Sequence, residues 1–118
     1  MIIDGVMLFD ELDLLECRLE YLNDVVDKFI IVEADTSYMG KPKPYNFYNN
    51  KSRYAKYLDK IIYYPMRHDP YKVPYPPILG DTLWWRRENH QRMGIGEMLK
   101  GFSDDDIIIV SDVDEIPL

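Results

Sequence analysis

Apolar positions along the chain fall into short runs separated by segments of a different rhythm. Ile2 to Phe9 is mostly apolar and short, which predicts a strand. Asp10 then offers an N-cap, with Glu11 and Asp13 in a first turn where the helix dipole favours acids. Leu12, Leu15, Leu19, Leu22 and Val26 recur at spacings of three and four, the mark of one apolar helix face. Asp27 to Ala34 contains Phe29-Ile30-Ile31-Val32 and reads as a second strand. A loop with Gly40, Pro42 and Pro44 follows, then a short helix over Arg53 to Leu58. Lys60 to Tyr64 is a third strand, ended by Pro65. Pro70, Pro74, Pro76 and Pro77 exclude regular structure from the next segment. Asp81 or Thr82 caps a helix running to about Phe102. Ser103 to Asp106 forms a turn, and Ile107-Ile108-Ile109-Val110 is the fourth strand.

Strands alternating with helices imply right-handed crossovers and a mainly parallel α/β sheet. Continuous rather than alternating apolar runs predict strands covered on both faces. The chain's 118 residues suffice for one domain with one modest core, and no composition shift marks a linker. Ligands of such sheets bind beyond the carboxyl ends of the strands, so those ends hold the candidate chemistry.

The end of the fourth strand is the most informative. Asp112, Asp114 and Glu115 bring three carboxylates within four positions of a β-branched apolar run. In an extended stretch, residues two apart point the same way, so Asp112 and Asp114 can face one point. Hard oxygen ligands suit Mg²⁺ or Mn²⁺, whose shell substrate phosphates and water can complete. The plain alternative is a solvated acidic turn. Glu33 closes the second strand and can accept hydrogen bonds from a ribose or base edge; its alternative is an ordinary exposed strand end.

The last helix adds a second clue. Trp84, Glu88, Gln91, Ile95, Met98 or Leu99, and Phe102 share one face, so polar Glu88 and Gln91 interrupt an apolar stripe. A crossover helix runs antiparallel to its strands, which puts its N-terminal half at their carboxyl edge. Buried polar groups need partners, and a ligand is one candidate. Arg86, Arg87 and Arg92 lie nearby and can neutralise phosphate; an intrahelical Glu88–Arg92 pair is the modest alternative. Gly94 and Gly96 sit inside a helix, so they form no dinucleotide fingerprint and instead permit close helix–sheet contact. His68 and His90 have no ligand-like spacing, and Cys17 reads as a packing residue of the first helix.

Composition narrows the partners. Fourteen basic and 21 acidic residues leave a net charge of −7, which argues against nucleic acid and fits a cation site. No stretch approaches a membrane span, and the start lacks the basic region of a signal peptide. With one cysteine, no internal disulfide forms.

These segments, taken together, resemble glycosyltransferase family 17. The likeness lies in Glu11-Leu12-Asp13-Leu14-Leu15-Glu16 with Arg18-Leu19, in Val26 to Ala34, in Gly40-Lys41-Pro42-Lys43-Pro44, in Glu88 with Gln91-Arg92, and in Asp105 to Pro117. It covers nearly the whole chain. The resemblance implies a GT-A-type, Rossmann-like fold, a UDP-sugar donor with GlcNAc foremost, a glycan acceptor, and an inverting transfer dependent on Mn²⁺ or Mg²⁺. It also implies that Asp112 approaches ribose or metal, Asp114 the metal, and Glu33 the nucleoside, with Glu88, Gln91 and Arg92 lining the donor pocket. Animal members carry a membrane anchor and stem that these residues lack, so a cytoplasmic location is expected. The metal motif falls close to Leu118, so only the N-terminal donor-binding part is expected here, prone to self-association or to pairing with a missing C-terminal segment. The catalytic base is unassigned. A non-catalytic sugar-nucleotide module and a metal-dependent nucleotidyl or phosphoryl enzyme are the competing readings.

Overall fold

The computed structural model describes residues 1–36, 42–66, 90–103 and 105–113. Four strands form one parallel sheet: β1 (Ile2–Leu8), β2 (Lys28–Ala34), β3 (Ile61–Met66) and β4 (Ile107–Val110), in the order β3-β2-β1-β4. Helix α1 (Leu12–Leu22) joins β1 to β2. Helix α2 (Asn46–Asn49) and a 3-10 segment (Lys51–Lys60), kinked at Tyr54, join β2 to β3. Helix α3, described over residues 90–98, precedes a 3-10 turn (Leu99–Gly101) and β4. The expected α/β class and parallel sheet are therefore present.

The connections explain which face each helix takes. The step from β1 to β2 moves across the sheet one way, and the step from β3 to β4 moves back. Crossovers of one hand must then lie on opposite faces, and two separate cores bear this out. Val6, Leu8, Phe29 and Ile31 pack with Leu15, Leu19 and Leu22 of α1 and with Phe47, Tyr54 and Tyr57. Ile3, Met7, Ile30, Val32 and Ala34 pack on the other side, with Met66 and with Ile95 of α3. The two-residue alternation of a strand divides each apolar run between these layers.

Close approach of α3 depends on missing side chains. A Cβ on Gly5 of β1 would stand 2.8 Å from Ile95 Cγ2. One on Gly94 would stand 3.0 Å from Met66 Sδ and 3.2 Å from Val32 Cγ1. Gly94 thus serves the contact expected of it. Gly96 does not, since nothing among the described residues lies within 4 Å of its Cβ position.

Several expectations need correction. Strand β3 runs through Pro65 to Met66 rather than ending before it. Its place at one edge of the described sheet tolerates a residue without an N–H. Glu11, not Asp10, occupies the N-cap of α1, and its carboxylate accepts from the Phe9 amide (3.2 Å) instead of capping the helix. Cys17 is exposed rather than a buried packing residue of α1. Strand β4 is not covered on both faces: as the other edge of the described sheet it leaves Ile107 60% and Val110 42% exposed. The Ser103–Asp106 turn forms as expected, closed by Asp106 N–H to the Ser103 carbonyl at 3.1 Å.

Candidate functional site

The sheet order creates a topological switch point. Connections leave β1 toward β2 on one side, while β4 lies on the other, so the crevice beyond the carboxyl ends of β1 and β4 is where a ligand of such a sheet is received. Phe9 and Asp10 end one wall of that crevice; Ser111 and Asp112 end the other. The β1–β4 register, from Ile2 beside Ile107 to Gly5 beside Val110, sets these ends side by side.

The acidic turn is held by one residue from α1. Arg18, fully buried, makes a bidentate pair with equally buried Asp4 of β1: Nε donates to Oδ2 at 2.7 Å and Nη2 to Oδ1 at 2.6 Å. The same guanidinium donates from Nη2 to Ser111 Oγ (2.7 Å) and from Nη1 to the carbonyls of Asp112 (2.9 Å) and Val113 (3.5 Å). Ser111 thus turns toward the α1 face, and Val113 is buried in the α1 core. Asp112, between them, is exposed. The sequence patterns above assign no role to Asp4, and Arg18 enters them only within a family signature. The signal was present: Asp4 is a lone charge inside an apolar strand, and Arg18 shares the stripe of Leu15, Leu19 and Leu22.

Gln91 belongs to α3, one turn before Ile95 on the sheet-facing stripe, and is 7% exposed. It therefore lies on the sheet face opposite α1. Arg92, the next residue, is exposed. Glu88 and Asp114 fall outside the described residues. The donor set that can be described is oxygen-rich but small. Among the described residues no three metal-ligating side chains gather. A Mg²⁺ or Mn²⁺ ion is commonly held by one or two carboxylates plus substrate phosphates, so Asp112 fits as a protein ligand of that kind.

Glu33 has another setting. It is 0% exposed, so it is not an ordinary strand end. Its side chain points to the α1 face, opposite Gln91. There its carboxylate accepts from the Phe47 amide (3.1 Å to each oxygen) and the Tyr63 hydroxyl (2.7 Å), with Lys43 Nζ at 3.5 Å. Burial, and then the bond to Glu33, raise the Tyr63 phenol above its ordinary pKa. Burial likewise lowers that of Lys43.

Residues 42–46 strap the carboxyl edge of the sheet. Lys43 Nζ donates to the Ala34 carbonyl (2.8 Å), Tyr45 Oη to the Met66 carbonyl (3.0 Å), and Asn46 Nδ2 to the Phe9 carbonyl (2.6 Å). The strap so fixes the ends of β1, β2 and β3. Beside it, one buried carboxylate oxygen of Asp35 has no hydrogen-bond partner among the described residues.

The family model of glycosyltransferase family 17 matches residues 1–118. The β-1,4-mannosyl-glycoprotein 4-β-N-acetylglucosaminyltransferases of Rattus norvegicus and Homo sapiens are each 29% identical over 124 residues, and that of Mus musculus is 28% identical. Each alignment covers 98% of this chain and 21–22% of the relative, so the chain spans about a fifth of the proteins it matches. No solved structure matches. The chain belongs to glycosyltransferase family 17.

Proposed function

We propose that these residues are the donor-binding part of a metal-dependent glycosyltransferase that moves GlcNAc from a UDP-sugar to a glycan hydroxyl. The carrying observation is the place of Asp112: an exposed carboxylate beside the switch point, on a backbone clamped by Arg18. The names of the three relatives, all N-acetylglucosaminyltransferases acting on a mannosyl glycoprotein, support GlcNAc and a mannose-bearing acceptor.

In this reading Asp112, with Asp114, would hold Mn²⁺ or Mg²⁺. Such an ion would supply positive charge to offset the negative charge of the donor diphosphate. Gln91 and Arg92 supply polar and cationic groups from the α3 side, and Glu88, three residues before Gln91 in sequence, joins them. Glu33 acts through the strap: it anchors Phe47 and neighbours Lys43, and so shapes the edge on which the nucleoside rests.

A panel of nucleotides tests the reading against a nucleotidyl or phosphoryl enzyme. UDP and UDP-GlcNAc are expected to bind the chain more tightly than ATP, GTP or GDP-mannose in the presence of Mn²⁺. Equal binding across the panel would contradict a UDP-sugar site.

A further inference from the structure

The guanidinium of Arg18 does two things in one place. Its fork closes on Asp4, which neutralises a charge buried at 0% exposure, and its remaining edge grips three consecutive residues of the turn after β4. A lysine could satisfy the charge but not both edges, because an ammonium is a point donor whereas the guanidinium is a rigid plane. Strand β4 pairs only with β1 among the described strands, so its carboxyl end has no ladder on its outer side to hold it. The turn therefore takes its geometry from α1.

We infer that Arg18, paired with Asp4, is the positioning residue of the acidic turn: it fixes the backbone of residues 111–113 so that Asp112 faces the switch-point crevice. Its effect on ligand binding rests on the reading proposed above; its hold on the turn does not. Arg18 touches no reacting group in this account and acts through the carbonyls of Asp112 and Val113. Asp4 keeps the fork in register and makes the buried cation tolerable.

Two variants of the 118-residue chain test this. Arg18→Lys keeps the charge and loses the fork. Asp4→Asn with Arg18→Met removes both charges together, so neither is stranded in the core. Amide hydrogen exchange at residues 111–113 is expected to accelerate in both, with β1 and β2 amides still protected. The ratio of UDP affinity with Mn²⁺ to that without is expected to fall by roughly 10–100-fold, the usual cost of losing an outer-sphere partner. A folded variant with native exchange at 111–113 would overturn the inference, and so would failure of both variants to fold, which would make the pair a core element alone. Exchange and binding separate the two claims. A parent chain whose UDP affinity ignores Mn²⁺ removes the proposed function, while the exchange result still decides the role of Arg18.

Discussion

Arg18 Nη1 donates to the Asp112 carbonyl at 2.9 Å, tying the first helix to a turn 94 residues later. Burial makes this link expensive to break. Arg18→Met alone would strand the Asp4 carboxylate in the core, and breaking one side of a buried pair costs about 3–5 kcal/mol. Removing both charges is expected to cost much less. Urea unfolding of Arg18→Met and of Asp4→Asn/Arg18→Met should therefore rank the double variant as the more stable. The reverse order would show that Asp4 does not depend on this partner.

Glycine positions offer a contrast that needs no ligand. Gly5→Ala puts a Cβ 2.8 Å from Ile95 Cγ2, an atom that backbone and packing hold in place, and overpacking of this kind costs about 1–3 kcal/mol. Gly96→Ala meets nothing within 4 Å among the described residues and gains helix propensity of up to about 1 kcal/mol. Thermal melts of the two variants should shift in opposite directions. A neutral Gly5→Ala would mean that α3 does not approach β1 this closely.

Glu33 is expected to behave as an anchor of the strap. Glu33→Ala leaves the Phe47 amide and the Tyr63 hydroxyl without their acceptor, and hydrogen bonds to a charged group contribute about 1.5–3 kcal/mol each. Tyr63→Phe removes one of them and should cost less. Chemical denaturation that finds Tyr63→Phe as damaging as Glu33→Ala would contradict the assignment.

Alkaline stability follows from two phenols. Burial pushes Tyr54 up to about 12, and Tyr63 is also raised. Both keep their protons in the folded chain after an unfolded tyrosine has lost its own near 10. A raised folded pKa contributes stability present below the unfolded value and lost as pH rises through the folded one. Lys43 works the other way, because burial lowers its pKa from 10.5, but its contribution stops changing once pH passes that value. Urea midpoints should thus fall between pH 10 and 12, and fall less steeply in Tyr54→Phe. Parallel slopes in the two proteins would refute the role of Tyr54.

Much of this architecture can be read along the chain, and the parts that cannot have physical reasons. The runs at Ile2, Phe29 and Ile107 and the stripe from Leu12 to Leu22 mark their elements because local periodicity decides them. Whether a strand is central or at an edge is a matter of sheet order, which local pattern does not carry. That is why β3 passes through Pro65, and why the apolar β4 lies open where its composition suggested two covered faces. Glu33 has the same difficulty: its partners Lys43, Phe47 and Tyr63 come from elements 10 to 30 residues away. The Asp4–Arg18 pair was more accessible, since two opposite charges on apolar faces of consecutive elements have few places to go except each other. At the proposed site, position along the sheet singles out Asp112 as a candidate, whereas the hold of Arg18 on the carbonyls of residues 112 and 113 is visible only in three dimensions.

The most direct test of the account is a calorimetric titration of UDP with and without Mn²⁺, into the parent chain and into a chain with Asp112 and Asp114 both changed to Ala. Mn²⁺ is expected to strengthen UDP binding to the parent, because diphosphate oxygens complete a shell that the protein only begins. The double variant is expected to bind UDP equally with and without the ion. Binding that remains fully metal-dependent in the double variant would contradict the claim that the end of β4 is the metal and donor site.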